Sequence, residues 1–329
     1  MWRSAPEFWA RDGILPMLLA PLGWAHGAAG ALRRAAARPY RASVPVICVG
    51  NLVAGGAGKT PIAIDLARRL GAMGREPHVL TRGYGGALAG PVEVERERHG
   101  YREVGDEALL LAAAAPTWVA RDRAAGARAA VGAGARTLLL DDGFQNPSLA
   151  RDLDLLVIDG EYGFGNGRVI PAGPLREPVS SGLGRAGAVI LLGDDRAGVS
   201  GLAHGIPVLR ARLVPAAKAE AFSGRDVVAF AGIGRPEKFF RTLERCGARL
   251  IARHAFPDHH AYDETTLGRL AAEAAAAKAR LVTTEKDFVR VPEGFRASVA
   301  ALPIEVDWAD ARALETLITP IAQGASGHG

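Results

Sequence analysis

The feature that most restricts this chain is an apolar strand that runs straight into a glycine loop and then into a helix. Val46-Ile47-Cys48-Val49 carries no polar interruption, Gly50-Asn51-Leu52-Val53-Ala54-Gly55-Gly56-Ala57-Gly58-Lys59-Thr60 follows, and Pro61 to Leu70 reads as helical. That order is the context of a phosphate-binding loop. Glycines let backbone N–H groups converge on phosphate oxygens, and the helix N-terminus adds its positive dipole. In this register Val53, Ala54, Gly55, Gly56, Ala57, Gly58, Lys59 and Thr60 form the cradle, with Lys59 on the β- and γ-phosphates of ATP and Thr60 on Mg²⁺. The strict pattern starts on glycine where this chain has Val53, a slight degeneracy. Lysine is scarce, five residues against 35 arginines, so one placed directly after Gly58 carries weight.

Around that loop the chain repeats a strand–helix rhythm. Apolar runs bounded by Gly, Pro or Asp occur at 44–49, 78–80, 117–120, 137–140, 153–158, 188–192 and 208–213. This is the signature of a parallel sheet, here a P-loop-type three-layer α/β/α sandwich. After Val214-Pro215 the rhythm restarts, with strands at 227–231, 249–253, 280–283 and 304–306 and helices at 236–246 and 263–278. The chain therefore divides into a nucleotide-binding domain over 1–214 and a smaller α/β domain over 215–329, with a cleft between them for two substrates. At 329 residues, 49% hydrophobic and 23% charged, it is neither disordered nor fibrous.

A P-loop needs a carboxylate on a neighbouring strand tip for the metal or its water. Thr137-Leu138-Leu139-Leu140-Asp141-Asp142-Gly143 supplies two, at the carboxyl edge where open α/β sheets bind ligands. The Asp-Gly turn accounts for one of them structurally, so either Asp141 or Asp142 is the metal ligand. Arg82, in Thr81-Arg82-Gly83-Tyr84-Gly85 after the strand at 78–80, is placed to bind phosphate. Three P-loop classes compete. A GTPase calls for [NT]-K-x-D, and Thr284-Glu285-Lys286-Asp287 has its lysine one place late. A ParA-like membrane-associated ATPase uses a lysine just before its glycine pair, where this chain has Ala54. A small-molecule kinase needs a base for a hydroxyl and cations for the transferred phosphate.

Seven motifs in order carry a resemblance: Gly50-Asn51 through Gly55-Gly56-Ala57-Gly58-Lys59-Thr60-Pro61, Thr81-Arg82-Gly83-Tyr84-Gly85, Val104-Gly105-Asp106-Glu107-Ala108, Asp141-Asp142-Gly143-Phe144-Gln145, Pro171-Ala172-Gly173-Pro174-Leu175-Arg176-Glu177, Phe256-Pro257-Asp258-His259-His260 and Thr284-Glu285-Lys286-Asp287. Together they resemble the tetraacyldisaccharide 4′-kinase (lipid A 4′-kinase) family. The resemblance implies transfer of the ATP γ-phosphate, with Mg²⁺, to the 4′-hydroxyl of a tetraacylated glucosamine disaccharide 1-phosphate, giving lipid IVA. It implies a peripheral enzyme at the cytoplasmic face of a Gram-negative inner membrane, with the active site between two α/β/α domains. It maps the family's catalytic Asp-His pair onto Asp106 and His259, with His260 the neighbour open to confusion, and its phosphate-stabilising arginine onto Arg176. The relaxed first position of the P-loop, Val53 here, is shared by the family.

The residue chemistry agrees with that mapping. A carboxylate can accept the proton of a sugar hydroxyl and a histidine can orient it, although Asp106 also reads as the start of the helix after Gly105. The Pro/Gly-rich loop at 170–178 would present Arg176 rigidly. Asp258, His259, His260, His254 and Cys246 lack zinc-ligand spacing. The two cysteines, Cys48 and Cys246, suggest a reducing compartment. The net charge of +5 is arginine without interleaved aromatics, which speaks against nucleic acid and leaves anionic lipid as a partner; no obligate protein partner is implied. Residues 13–32 run twenty positions without Asp, Glu, Lys or Arg. Pro16, Pro21 and four glycines argue against a spanning helix, and Arg3 and Arg11 only mimic a secretory signal. Two readings remain: a helix packed on its own domain, or an interfacial segment anchored by Trp2, Phe8, Trp9, Leu18, Leu19, Leu22 and Trp24, with Arg33, Arg34, Arg38 and Arg41 meeting headgroups.

Overall fold

The computed structural model describes residues 6–323; Trp2 and Arg3 lie outside the described residues. The described residues form two compact units, 6–212 with 306–323, and 213–305. The strands in chain order are β1 (Val46–Gly50), β2 (Pro77–Thr81), β3 (Val92–Glu93), β4 (Thr117–Val119), β5 (Thr137–Asp141), β6 (Leu153–Asp159), β7 (Ala188–Leu192), β8 (Val208–Pro215), β9 (Asp226–Ala231), β10 (Arg249–Ala255), β11 (Arg280–Thr284), β12 (Val299–Leu302) and β13 (Ile304–Trp308).

In the larger unit the sheet order is β13-β8-β7-β6-β1-β5-β2-β4-β3, parallel from β8 through β4, with β3 antiparallel at the edge. β1, β2, β5 and β7 are buried along their whole length, as a sheet covered on both faces requires. Because the strands are parallel, the residues following β1, β2, β4 and β5 share one edge. The smaller unit has the parallel order β10-β9-β11-β12.

The domain expectation of 215–329 needs correction at its C-terminal end. Pro303 has no N–H for a ladder bond and splits the apolar run, so that β12 closes the small sheet while β13 joins the large one beside β8. The following helix, Ala311–Ala322, buries Leu314, Ile318 and Ala322. It is tied to the helix Lys59–Ala72 by a Glu315–Arg69 ion pair of 3.2 Å, while Trp308 Nε1 donates to Asp65 at 2.8 Å.

The N-terminal segment folds as one continuous helix, Ile14–Ala35, despite its prolines. Pro16 lies in the first turn, where its missing N–H breaks no helical bond, so only Pro21 costs one. Gly23 and Gly27 fall on one face, four residues apart. A side chain at 23 would stand 2.6 Å from Val169 O, so glycine permits the close seating of this helix on the 169–178 loop. The remaining surface of the helix exposes Ile14, Met17, Leu18 (72% exposed), Leu22, Trp24 (73%) and Leu32. The two readings of the segment are thus two faces of one helix. It is the one helix among the described residues long and apolar enough to cross a membrane.

One expected anchor is corrected. Trp9 is only 5% exposed and donates from Nε1 to Pro171 O at 3.1 Å. Its indole fills the unit's own surface, and half-buried Phe8 is held beside it through its carbonyl, which accepts from Asn166.

One buried histidine makes the fold pH-sensitive. His78 on β2 accepts from Trp118 Nε1 through Nδ1 at 3.2 Å, and burial, opposed by Glu93 and Glu76, holds its pKa below the usual 6.5. The unfolded chain therefore binds a proton that the folded one resists, so stability falls as pH drops through and below about 6.5. His78→Asn, which keeps an acceptor and loses the titration, should flatten that loss between about pH 7.5 and 5.5. Thermal midpoints over this range check it, and parallel curves for the two proteins would contradict it.

Candidate active site

The P-loop starts where β1 ends. At Gly50 an added Cβ would collide with Phe144 Cβ at 2.4 Å, so glycine lets the loop after β5 lie directly against it. Val53, in the place of the first glycine of the strict pattern, is buried and bridges Leu175 in antiparallel fashion. Ala54 N donates to Pro174 O at 2.8 Å and Arg176 N to Leu52 O at 2.7 Å. The phosphate loop and the Pro171–Glu177 segment are therefore stitched together. Gly55 (φ 126°) and Gly58 (φ 83°) take backbone angles that favour glycine, and Gly58 delivers Lys59 onto the first turn of the helix Lys59–Ala72.

Asp142 is the meeting point. Its Oδ1 lies 3.5 Å from Lys59 Nζ and accepts from Arg176 Nη1 at 2.8 Å. Burial acts to raise its pKa, but Lys59 and Arg176 outweigh burial and hold it at about 2. Its backbone is left-handed (φ 55°), an uncommon state for a non-glycine residue that concentrates at functional sites. Asp141, the last residue of β5, is the opposite case. Burial, then Glu107 and Asp142, push its pKa up to about 8 against Lys59 and Arg123, and both carboxylate oxygens are buried with no hydrogen-bond donor. A buried carboxylate without donors is the chemistry that a hard cation completes, so the residues fit Mg²⁺ here, with Thr60 on the adjacent helix turn. Among the described residues no three His, Cys, Asp or Glu side chains gather as a metal site.

Two further motifs form one turn pair. Ala87 N and Leu88 N donate to Arg102 O and Glu103 O, and side chains at Gly83 or Gly105 would strike Val119 and Tyr84 O at 2.5 Å. Arg82 is exposed on this turn. Asp106 opens the short helix Asp106–Leu111, is 3% exposed, and its Oδ1 accepts from Glu107 N at 2.9 Å.

His259 lies in the smaller unit, in the loop after β10. It has φ 58°, and its Nε2 is 3.3 Å from Lys286 Nζ. An ammonium only donates, so in this pairing Nε2 accepts and the ring hydrogen is on Nδ1. Lys286 also lies 3.8 Å from Asp258 Oδ1. His260 instead stacks on Phe256 (4.6 Å) and meets Tyr262 edge-on, a packing position. The Thr284-Glu285-Lys286-Asp287 motif divides in function. Lys286 meets His259, while fully buried Asp287 accepts from Gly232 N, Tyr262 Oη, Thr284 Oγ1 and Arg290 Nη2. Arg290 donates onward to His260 O, which fixes the histidine loop.

Sequence reasoning missed three groups. Arg123, buried after β4, is close enough to Asp141 and Asp142 for them to offset the burial that lowers its pKa. Gln145 and Glu177 stood inside quoted motifs without a role. The signal for Arg123 was available, since Asp122 caps a helix that begins at a strand tip of the same edge.

The model of the tetraacyldisaccharide-1-P 4′-kinase family matches residues 15–323. The chain belongs to this family. It is 58% identical over 333 residues to the tetraacyldisaccharide 4′-kinase of Rhodospirillum centenum, covering 99% of each chain. It is 56% identical over 319 residues to that of Paramagnetospirillum magneticum, covering 96% of this chain and 97% of the other. An LpxK of Aquifex aeolicus, crystallised in complex with ATP, superimposes with a TM-score of 0.77 at 27% identity over 94% of this chain and 99% of that one. The chain is accordingly an ATP-dependent kinase that phosphorylates a lipid A precursor, with a large sheet–helix sandwich and a smaller α/β unit.

Gly105 has φ 89° and ψ 151°, a region nearly exclusive to glycine. Gly105→Ala should destabilise by at least about 2 kcal/mol, combining strain with the collision at Tyr84 O, and should depress turnover by displacing Asp106. Denaturant titration and a kinase assay check both, and an unchanged midpoint would contradict the turn pairing.

Proposed function

We propose that this kinase transfers the γ-phosphoryl group of ATP to the 4′-hydroxyl of a tetraacylated glucosamine disaccharide 1-phosphate, at the cytoplasmic face of the inner membrane. The observation that carries the reading is the convergence of Lys59 and Arg176 on the Asp142 carboxylate, an anion held where the phosphate loop and the Pro171–Glu177 segment meet. In the forward step the 4′-oxygen forms a bond to the γ-phosphorus while the bond to the β,γ-bridging oxygen breaks and ADP leaves. Glycine-loop N–H groups from Gly55 to Thr60 bind the phosphates, the Ala54 N–H expected among them being committed to Pro174 O instead, and Lys59 follows the charge that builds on the bridging oxygen. Arg176, on a loop pinned to Leu52, faces the transferring group, with Arg82 on the adjoining strand tip as a further phosphate contact. Asp106 receives the hydroxyl proton, and His259 is the catalytic histidine that the family resemblance assigns. Thr60 and the donor-free oxygens of Asp141 would hold Mg²⁺, which would supply positive charge to offset that of the phosphates.

The exposed apolar face of the helix Ile14–Ala35 supports a peripheral attachment that brings the site to an acylated substrate. Leu18 and Trp24, rather than Trp9, are its anchors. Leu18→Ser with Trp24→Ser should reduce sedimentation with anionic vesicles severalfold while the soluble fraction stays folded. Unchanged sedimentation would contradict the attachment.

The function is tested by transfer of radiolabelled γ-phosphate from ATP and Mg²⁺ to tetraacyldisaccharide 1-phosphate in detergent micelles. Labelled lipid should form, and Lys59→Ala and Asp106→Ala should each abolish it without loss of fold. ATP hydrolysis stimulated by membranes with no labelled lipid would overturn the reading, and near-normal turnover of Asp106→Ala would overturn the base.

A further inference from the structure

The last turn of the N-terminal helix carries Arg33 and Arg34, expected from sequence to meet headgroups. Arg34 turns inward instead. Its Nη2 lies 3.3 Å from Glu177 Oε2 and donates to Ser181 Oγ at 3.3 Å. Arg33 Nη2 reaches the carbonyl of Gln145 at 3.4 Å.

Glu177 is 1% exposed and is gripped from both sides. Arg185 donates to its two oxygens at 2.9 Å each, and Gln145 Nε2 donates to Oε1 at 3.1 Å. The same Gln145 nitrogen donates to Asn51 O at 2.9 Å, at the start of the phosphate loop. An amide has one donor end and one acceptor end. With the NH₂ committed to a carboxylate and a carbonyl, the Gln145 oxygen must face the other way, where it accepts from Arg176 Nη1 at 3.3 Å. That Nη1 is the atom bonded to Asp142. The charge on Glu177 therefore decides which end of Gln145 meets Arg176, and Arg34 is one of the two cations that hold that charge.

The helix is closely seated, since a Cβ at position 23 would stand 2.6 Å from Val169 O and one at position 27 would lie 3.6 Å from Pro178, the residue after Glu177. We infer that Arg34 is a positioning residue for phosphoryl transfer, which acts through Glu177 and Gln145 to fix how Arg176 presents its guanidinium. The helix that offers the apolar face is thus part of the frame of the phosphate site. The inference rests on Arg176 being the phosphate-stabilising residue.

The test uses the full chain in mixed micelles with ATP, Mg²⁺ and lipid acceptor, and compares wild type with Arg34→Met, which keeps the aliphatic stem. Arg34→Met should lower kcat by about tenfold, the scale of partners one shell removed from the chemistry, with both KM values and vesicle sedimentation unchanged. Glu177→Gln should lower kcat at least as far, and the double variant should be no slower than Glu177→Gln alone, because the two act in series. Arg96→Met, which removes an exposed charge outside this network, should leave kcat as it was. A headgroup anchor behaves differently: lipid KM rises, sedimentation falls and kcat at saturating lipid is retained. That pattern, or independent multiplication of the two losses, would overturn the inference. Arg176→Met separates the layers. Retained turnover there removes the underlying reading, whereas loss there with normal Arg34→Met sinks the inference alone. Thermal midpoints of every variant guard against unfolding, and Arg34→Met read beside Arg176→Met keeps the test decisive if Glu177→Gln fails to fold.

Discussion

The ion pairs of Asp142 with Lys59 and Arg176 hold the larger unit's functional edge together. Two cations from distant parts of the chain would repel one another at this spacing, and the carboxylate between them removes that cost. Each partner is fixed by a different device. Lys59 rides on a helix that starts from left-handed Gly58, Arg176 on a loop bonded to Leu52, and Asp142 on a left-handed residue after β5. The result is a preformed receptor for negative charge. A phosphate entering it meets donors that need little reorganisation, the condition under which electrostatic stabilisation is largest.

Beside it, Asp141 carries the reverse design. A carboxylate fully buried, without donors and flanked by Glu107 and Asp142, is costly unless a cation arrives. One strand tip therefore presents two adjacent aspartates with opposite tendencies, one held charged by protein cations and one whose charge the protein leaves uncompensated. The helix Ile14–Ala35 ties this edge to a surface. Its glycine face allows contact with the loop that bears Arg176, and its apolar face points away from the unit.

The local signals that depend on neighbouring residues were legible in the sequence: the strand-loop-helix at Val46 to Leu70, the aspartates at a strand tip, and the alternating strands and helices. So was the family, because seven motifs stand in order along the chain. What escaped depends on long-range packing. Nothing near Trp9 in sequence shows that Pro171 O awaits its N–H, and nothing in an arginine pair after an apolar run shows that Arg34 faces a buried glutamate. Arg123 and Glu177 were hidden because a charged residue is read as exposed until its partner is known. The split of the run 299–308 between two sheets turned on Pro303 alone, and the helix continuity through Pro21 on the packing that outweighs one lost hydrogen bond.

The account is tested most directly by the affinity of Asp142→Asn for ATP in the presence of EDTA, measured by calorimetry against wild type. If Asp142 is the placeholder that gathers Lys59 and Arg176, removing its charge leaves both cations for the nucleotide. Metal-free ATP should then bind at least as tightly as to wild type, while phosphate transfer with Mg²⁺ is lost. Weaker binding of metal-free ATP, together with normal transfer, would contradict the claim that this carboxylate organises the phosphate site.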